Sequence, residues 1–213
     1  MKKLRNFGFL LFPDLEELDL VGAWEIINVW RDLYGEPENC LTIAESAGAI
    51  RCRKGMRIFA EVDFESCPPL DCLLVPGGEG RRAAARNKKV LEFVRNQAGE
   101  AEAILSVCTG TFVLEAAGLI ENKKVTTHWS RLEELRQSGN VEVVEERFVR
   151  DGKIWTAAGV SAGIDLALAF VADRAGEEIA GKVQLYAEYY PNGKRYGDAH
   201  KDPNAPNYLA KGN

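Results

Sequence analysis

Cys108 closes the apolar, β-prone run Ala103-Ile104-Leu105-Ser106-Val107, and Thr109-Gly110-Thr111 and a second apolar block, Phe112-Val113-Leu114, follow at once. This pattern predicts a buried strand that turns sharply into a helix with a thiol at the corner. Unpaired backbone N–H groups and the helix dipole at such a corner favour thiolate, so Cys108 is expected to be a nucleophile with a pKa below the ordinary ~8.5. Cys40, Cys52, Cys67 and Cys72 lie in or beside predicted strands with no comparable context. They read as inert core thiols.

Three further positions carry groups such a nucleophile would use. Pro76-Gly77-Gly78-Glu79-Gly80 is either a tight strand-ending turn or a backbone with an N–H left free to bind developing negative charge. In the second case Gly78 and Thr109 would form an oxyanion site. Asp19, between Leu18 and Leu20, is either a helix cap or a buried acid beside the cysteine. Burial and a nearby thiolate would raise its pKa above ~3.9, leaving a proton to donate. His128, in Thr126-Thr127-His128-Trp129, is either a general base for the cysteine or a packed histidine under Trp129.

These residues must be positioned by alternating strands and helices. Strands are predicted over 6–12, 40–44, 49–53, 57–62, 72–75 and 103–107, and a pair over 141–149 and 153–156 flanks the turn Asp151-Gly152. Helices are predicted over 21–33, 88–97, 111–117, 162–174 and 177–189. The alternation implies an α/β fold with a doubly wound, mostly parallel sheet flanked by helices. Ligands of such sheets bind at the carboxyl ends of the strands. Asp19, Gly78 and Cys108 all follow predicted strand ends, so distant loops meet at one rim. Residues 1–190 read as a single domain and 191–213 as a polar tail, extended or partly disordered.

Composition removes several classes of function. The net charge of −5, with no Lys/Arg cluster, gives no expectation of a nucleic-acid surface. No apolar run approaches the ~20 residues of a membrane span, and Met1-Lys2-Lys3-Leu4-Arg5 leads into a stretch too short for a signal peptide. A cytoplasmic location is expected. Five cysteines at irregular spacing, without C-x-x-C and with only two histidines, predict neither a disulfide framework nor a zinc site.

The cysteine corner, the Pro-Gly-Gly-Glu-Gly turn and the acid after the first strand together resemble the ThiJ/PfpI superfamily, of flavodoxin-like, class I glutamine amidotransferase-like fold, over residues 6–190. Leu18-Asp19-Leu20, Ser106-Val107-Cys108-Thr109-Gly110, Thr126-Thr127-His128-Trp129 and Ala162-Gly163-Ile164-Asp165 are most similar to the isonitrile hydratases within it. The resemblance implies Cys108 as nucleophile, Asp19 as acidic partner and Thr109 as a hydrogen-bonding neighbour. It implies a cofactor-independent hydro-lyase that adds water to a small isocyanide through a cysteine thioimidate, and a homodimer. Asp rather than Glu at position 19 favours the hydratases over the glyoxalase- or deglycase-like branch. Thr109 stands where the related proteases carry His, which argues against proteolysis. A glyoxalase-like enzyme and a non-catalytic sensor that oxidises Cys108 are the alternatives. The Ser-Val-Cys-Thr-Gly segment is shared with amidase-like domains of AraC-type regulators, which continue into a helix-turn-helix. Here a short polar tail follows instead, so no DNA partner is expected.

Overall fold

The structure, a computed structural model, describes residues 2–191, 203 and 205–210. Strands β1 (Asn6–Leu10), β2 (Asn39–Ala44), β6 (Cys72–Val75), β7 (Ala103–Val107) and β11 (Ile154–Ala157) form the body of a seven-stranded sheet. Short β5 (Val62–Asp63) and β10 (Phe148–Asp151) are its edges, in the order β10-β11-β7-β6-β1-β2-β5. Every pairing is parallel except β10 with β11, which turn about Gly152 at φ +62°. Every residue of β6 and β7 is buried, as expected of parallel strands covered on both faces.

Two groups of helices supply that cover. Helices α1 (Glu17–Tyr34), α6 (Ala162–Ala175) and α7 (Glu177–Tyr186) pack on one another. Trp24, Trp30 and Trp155 lie in the core they enclose, edge-on to Phe9 or Phe170. Helix α4 (Thr111–Ala116) packs against β6, β7, α2 (Arg81–Ala84) and α3 (Lys88–Glu100). The doubly wound, mostly parallel architecture expected from the alternation is therefore the one observed.

The chain leaves β1 for β2 on one side, then returns through β6 on the other, so the order reverses between β1 and β6. At such a switch point the loops leaving the strand ends diverge and a crevice opens. The β1–α1 loop, the turn after β6 and the corner after β7 surround it.

Several boundaries differ from the sequence reading. Helix α1 begins at Glu17, not 21, because Glu17 and Asp19 suit the positive end of the helix dipole. The strand predicted over 57–62 is two elements, β4 (Arg57–Ala60), which pairs with β3 (Gly48–Arg51) as a separate hairpin, and β5. The strand predicted over 141–149 is also two: β9 (Glu142–Val143) pairs in parallel with β8 (Lys124–Val125), and only β10 forms the expected hairpin. Short α2, α5 (Leu132–Ser138) and β8 were not predicted, being too brief to show a period. The predicted tail falls largely outside the described residues; within it, α8 (Asn207–Ala210) is a short helix and Tyr208 is half-buried against the core. Among the described residues no helix is long and apolar enough to cross a membrane.

Candidate active site

Cys108 stands at the end of β7, at φ +57°. This region is uncommon for a residue with a side chain and is held only where surroundings over-determine it. They do so here. The Cys108 N–H donates to the Ala158 carbonyl at 2.9 Å, and the Thr127 hydroxyl donates to the Cys108 carbonyl at 2.8 Å. Beneath lies a web of fully buried hydroxyls. Thr111 Oγ1 donates to the Thr126 carbonyl at 2.9 Å and meets Ser106 Oγ at 3.0 Å, while Thr126 N–H donates to Thr156 Oγ1 at 2.8 Å. Satisfied buried networks of this kind rigidify the backbone they touch.

Asp19 is fully buried in the first turn of α1. It does not cap the helix, whose N-cap position is Glu16. Its Oδ2 accepts the Gly77 N–H at 2.8 Å, across the switch point. Its Oδ1 is buried without a partner of ordinary hydrogen-bond geometry, although the Cys108 thiol is close enough to act on the carboxylate as a weak donor. Burial raises the Asp19 pKa from 3.8 to about 7, and the Glu16 charge adds to the rise. The N–H groups of Gly77 and Val160 and the Cys108 thiol pull it back only in part.

The thiol does not have the depressed pKa expected of a helix N-terminus. Burial first, and the Asp19 charge second, push Cys108 up to about 12, against the N–H groups of Thr109 and Val160 and the Thr109 hydroxyl. The reason is local. A single 3-10 turn, Cys108–Gly110, separates the sulfur from the six-residue α4, and the side chain is only 6 % exposed. Desolvation of the thiolate outweighs so short a helix. Burial likewise raises the pKa of Cys40, Cys52, Cys67 and Cys72, as inert thiols require. What sets Cys108 apart is that it lines a cavity and that its thiol meets a fully buried carboxyl whose own pKa is raised to about 7.

Thr109 and Gly78 do meet across the rim, but Gly78 N–H donates to Thr109 Oγ1 at 3.0 Å. That donor, expected to be free for an oxyanion, is engaged. Gly77, not singled out from the sequence, holds the two sides together: a Cβ there would lie 2.5 Å from Thr109 N and 2.9 Å from Asp19 Oδ2. No side chain fits.

His128 lines the same cavity as Cys108, with no hydrogen bond to it among the described residues. Its Nδ1 faces Ser130, with the hydroxyl at 2.9 Å and the N–H donating at 3.3 Å. Burial lowers its pKa and keeps it neutral. Among the described residues it is not hydrogen-bonded to Cys108, as the general base considered from the sequence would be. Val160, at φ +50°, was not predicted either. Its N–H reaches both Asp19 and Cys108, and no sequence signal marks a β-branched residue for such a conformation.

The arrangement is a buried carboxyl with a proton to exchange beside a thiol on a strained corner, opening on a cavity of about 400 Å³. The DJ-1/PfpI family profile matches residues 7–173. The chain belongs to the DJ-1/PfpI family. Within this family it is 37% identical over 195 residues to an isonitrile hydratase of Pseudomonas putida, covering 87% of this chain and 79% of that one. It is 25% identical over 181 residues to the HTH-type transcriptional regulator GbdR of Pseudomonas aeruginosa, but spans only 49% of the regulator. A crystal structure of a ThiJ/PfpI family protein from Pseudomonas syringae superposes with a TM-score of 0.85 at 32% identity, covering 98% of this chain and 84% of that one. The DJ-1/PfpI fold and an isonitrile hydratase homologue of this family thus match the sequence reading. Among the described residues no cluster of His, Cys, Asp and Glu could hold a metal ion.

Proposed function

We propose that this protein is an isonitrile hydratase-like hydro-lyase, with Cys108 as nucleophile and Asp19 as its proton carrier. The observation that carries the reading is the pair itself: Asp19 at about 7 and Cys108 at about 12 hold one proton between them across that interval. The thiol passes its proton to the Asp19 carboxylate as sulfur attacks the terminal carbon of R–N≡C. Asp19 returns the proton to that carbon, and the product is the thioimidate R–N=CH–S–Cys108. Water then adds across the C=N bond, its hydroxyl to carbon and its hydrogen to nitrogen. The tetrahedral species collapses as its hydroxyl proton goes to Asp19, the C–S bond breaks, and the formamide R–NH–CHO leaves. Splitting one difficult addition into two steps is the benefit of covalent catalysis. Thr109 holds the Gly78 turn, and the Thr109 N–H and the His128 ring are the polar groups offered to the bound group.

The relationship to the Pseudomonas putida hydratase supports this choice over the other chemistries of the family, which also includes a deglycase of Pyrococcus abyssi, 25% identical over 138 residues. The test is formamide production from p-nitrophenyl isocyanide, followed by NMR, with methylglyoxal offered in parallel. Wild type is expected to give the formamide and C108A none. Formamide from C108A, or turnover of methylglyoxal alone, would refute the assignment. Oxidation of Cys108 by peroxide without turnover of either compound would favour the sensor.

A further inference from the structure

The cavity over Cys108 is more basic than the chain around it. Arg53, Lys54, Arg81, Arg82 and Arg131 line it, on a protein whose net charge is −5. Against them stand the two lining carboxylates, Glu16 and Glu79. Most of these charges are spoken for. Lys54 pairs with Glu16. Arg81 is buried, stacked over the Phe112 ring and bonded to Glu134 at 2.7 Å, and Arg131 shares the same carboxylate at 3.8 Å. Arg53 and Arg82 make no ion pair and no side-chain hydrogen bond among the described residues. Glu79 is the single carboxylate left to balance both.

Their backbones are built into position. Arg53 and Lys54 sit in the β3–β4 turn, where Arg53 N–H donates to the Leu15 carbonyl at 2.8 Å and Lys54 N–H donates to Glu17 Oε1 at 2.7 Å. The turn is thereby fixed to the start of α1, two residues from Asp19. Arg82 lies in α2, two residues after Gly80, whose N–H donates to the Asp14 carbonyl at 3.0 Å. Arg53 from the β3–β4 turn and Arg82 from α2, both exposed, thus line the cavity that holds the nucleophile.

We infer that the substrate carries an anion: a small electrophile bearing a carboxylate, which Arg53 and Arg82 receive while its reactive carbon meets Cys108. Both guanidinium groups are exposed to water, so a neutral apolar substituent would gain nothing from them. A carboxylate matches their planar donor forks and gains from the field of a cleft whose lining is positive on balance. The inference rests on the hydratase reading only in naming that electrophile an isocyanide.

The test compares alkylation of Cys108 by iodoacetate with alkylation by iodoacetamide, an anion and a neutral reagent of matched shape, followed by peptide mass. With 2-mercaptoethanol as reference, the iodoacetate-to-iodoacetamide ratio at Cys108 is expected to be roughly tenfold higher at low salt. It is expected to shrink toward the reference near 1 M salt, where charges are screened beyond about 3 Å. In the R53Q/R82Q double variant the excess is expected to be lost. A ratio at or below the reference, a ratio the double variant leaves unmoved, or a Cys108 that neither reagent reaches would overturn the inference. A second arm compares hydration of isocyanoacetate and of its methyl ester, with kcat/KM expected to favour the acid. Neither compound hydrated while the alkylation excess persists would defeat the hydratase reading and leave the anion site standing. A faster ester with no alkylation excess would defeat the anion site alone.

Discussion

At the scale of single residues, Asp19 works against the fold it belongs to. Its pKa in the folded protein is about 7, above the ordinary 3.8, so folding favours the protonated acid. The penalty for the ionised form is absent below pH 3.8, grows as the unfolded chain ionises, and is complete above pH 7. It is on the order of 4 kcal/mol. D19N keeps an oxygen for the Gly77 N–H but carries no charge. Thermal unfolding should show D19N more stable than wild type at pH 8 and little different at pH 4, while formamide production is lost. An equal or lower Tm for D19N at pH 8 would mean that Asp19 is not held against its solvation. The same titration sets the acid limb of activity. Below pH 7 both members of the pair are protonated and the thiol has no acceptor for its proton, so kcat/KM should rise with pH through about 7. A profile flat between pH 5 and 8 would contradict the proton-carrier role.

At the scale of elements, the site depends on turns that tolerate no slack. A Cβ on Gly77 would meet backbone nitrogen and the Asp19 carboxylate, neither of which is the far end of a flexible chain. G77A is therefore expected to displace Asp19 and to lower kcat/KM by about 100-fold, the cost of a misplacement near 1 Å. A variant with unchanged kinetics would show that the turn can relax. The corner at Cys108 leans on Thr127 in the same way. T127V leaves the buried Cys108 carbonyl short of its closest donor and should destabilise the protein by about 1–3 kcal/mol. Urea unfolding measures that loss, and a shift under 0.5 kcal/mol, roughly the scatter of neutral surface changes, would place the constraint elsewhere.

At the scale of the whole molecule, the strand order puts three loops at one crevice and leaves an apolar face elsewhere. Leu33 and Tyr34 at the end of α1, and Leu185 and Tyr186 on α7, are exposed on helices that pack together. The proposed homodimer would bury such a patch. Light scattering should return twice the 23.5 kDa chain mass for wild type, and L185E/Y186E should approach the monomer. A monomeric wild type at micromolar concentration would count against the dimer.

Much of this was legible in the chain because it is local. Hydrophobic runs of strand length separated by helical periods determine a parallel α/β sheet, since helices between the strands cover their faces. A cysteine at the end of such a run determines the candidate nucleophile, and glycines after β6 determine a close approach. Short elements such as α2 and β8 were not legible, because a period needs more residues than they have. Tertiary structure alone decided the electrostatics. Whether the thiol at Cys108 lies above or below its ordinary pKa depends on desolvation by residues distant in sequence, and burial won over a short helix. Whether Asp19 caps α1 or faces the thiol depended on Gly77 arriving from another strand. That Gly78 N–H is engaged, that His128 turns its Nδ1 to Ser130, and that Arg53 and Arg82 line one cavity likewise depend on which segments the switch point brings together. Sequence patterns record which face of an element is dry; the charges that meet across a crevice are set by the topology that closes it.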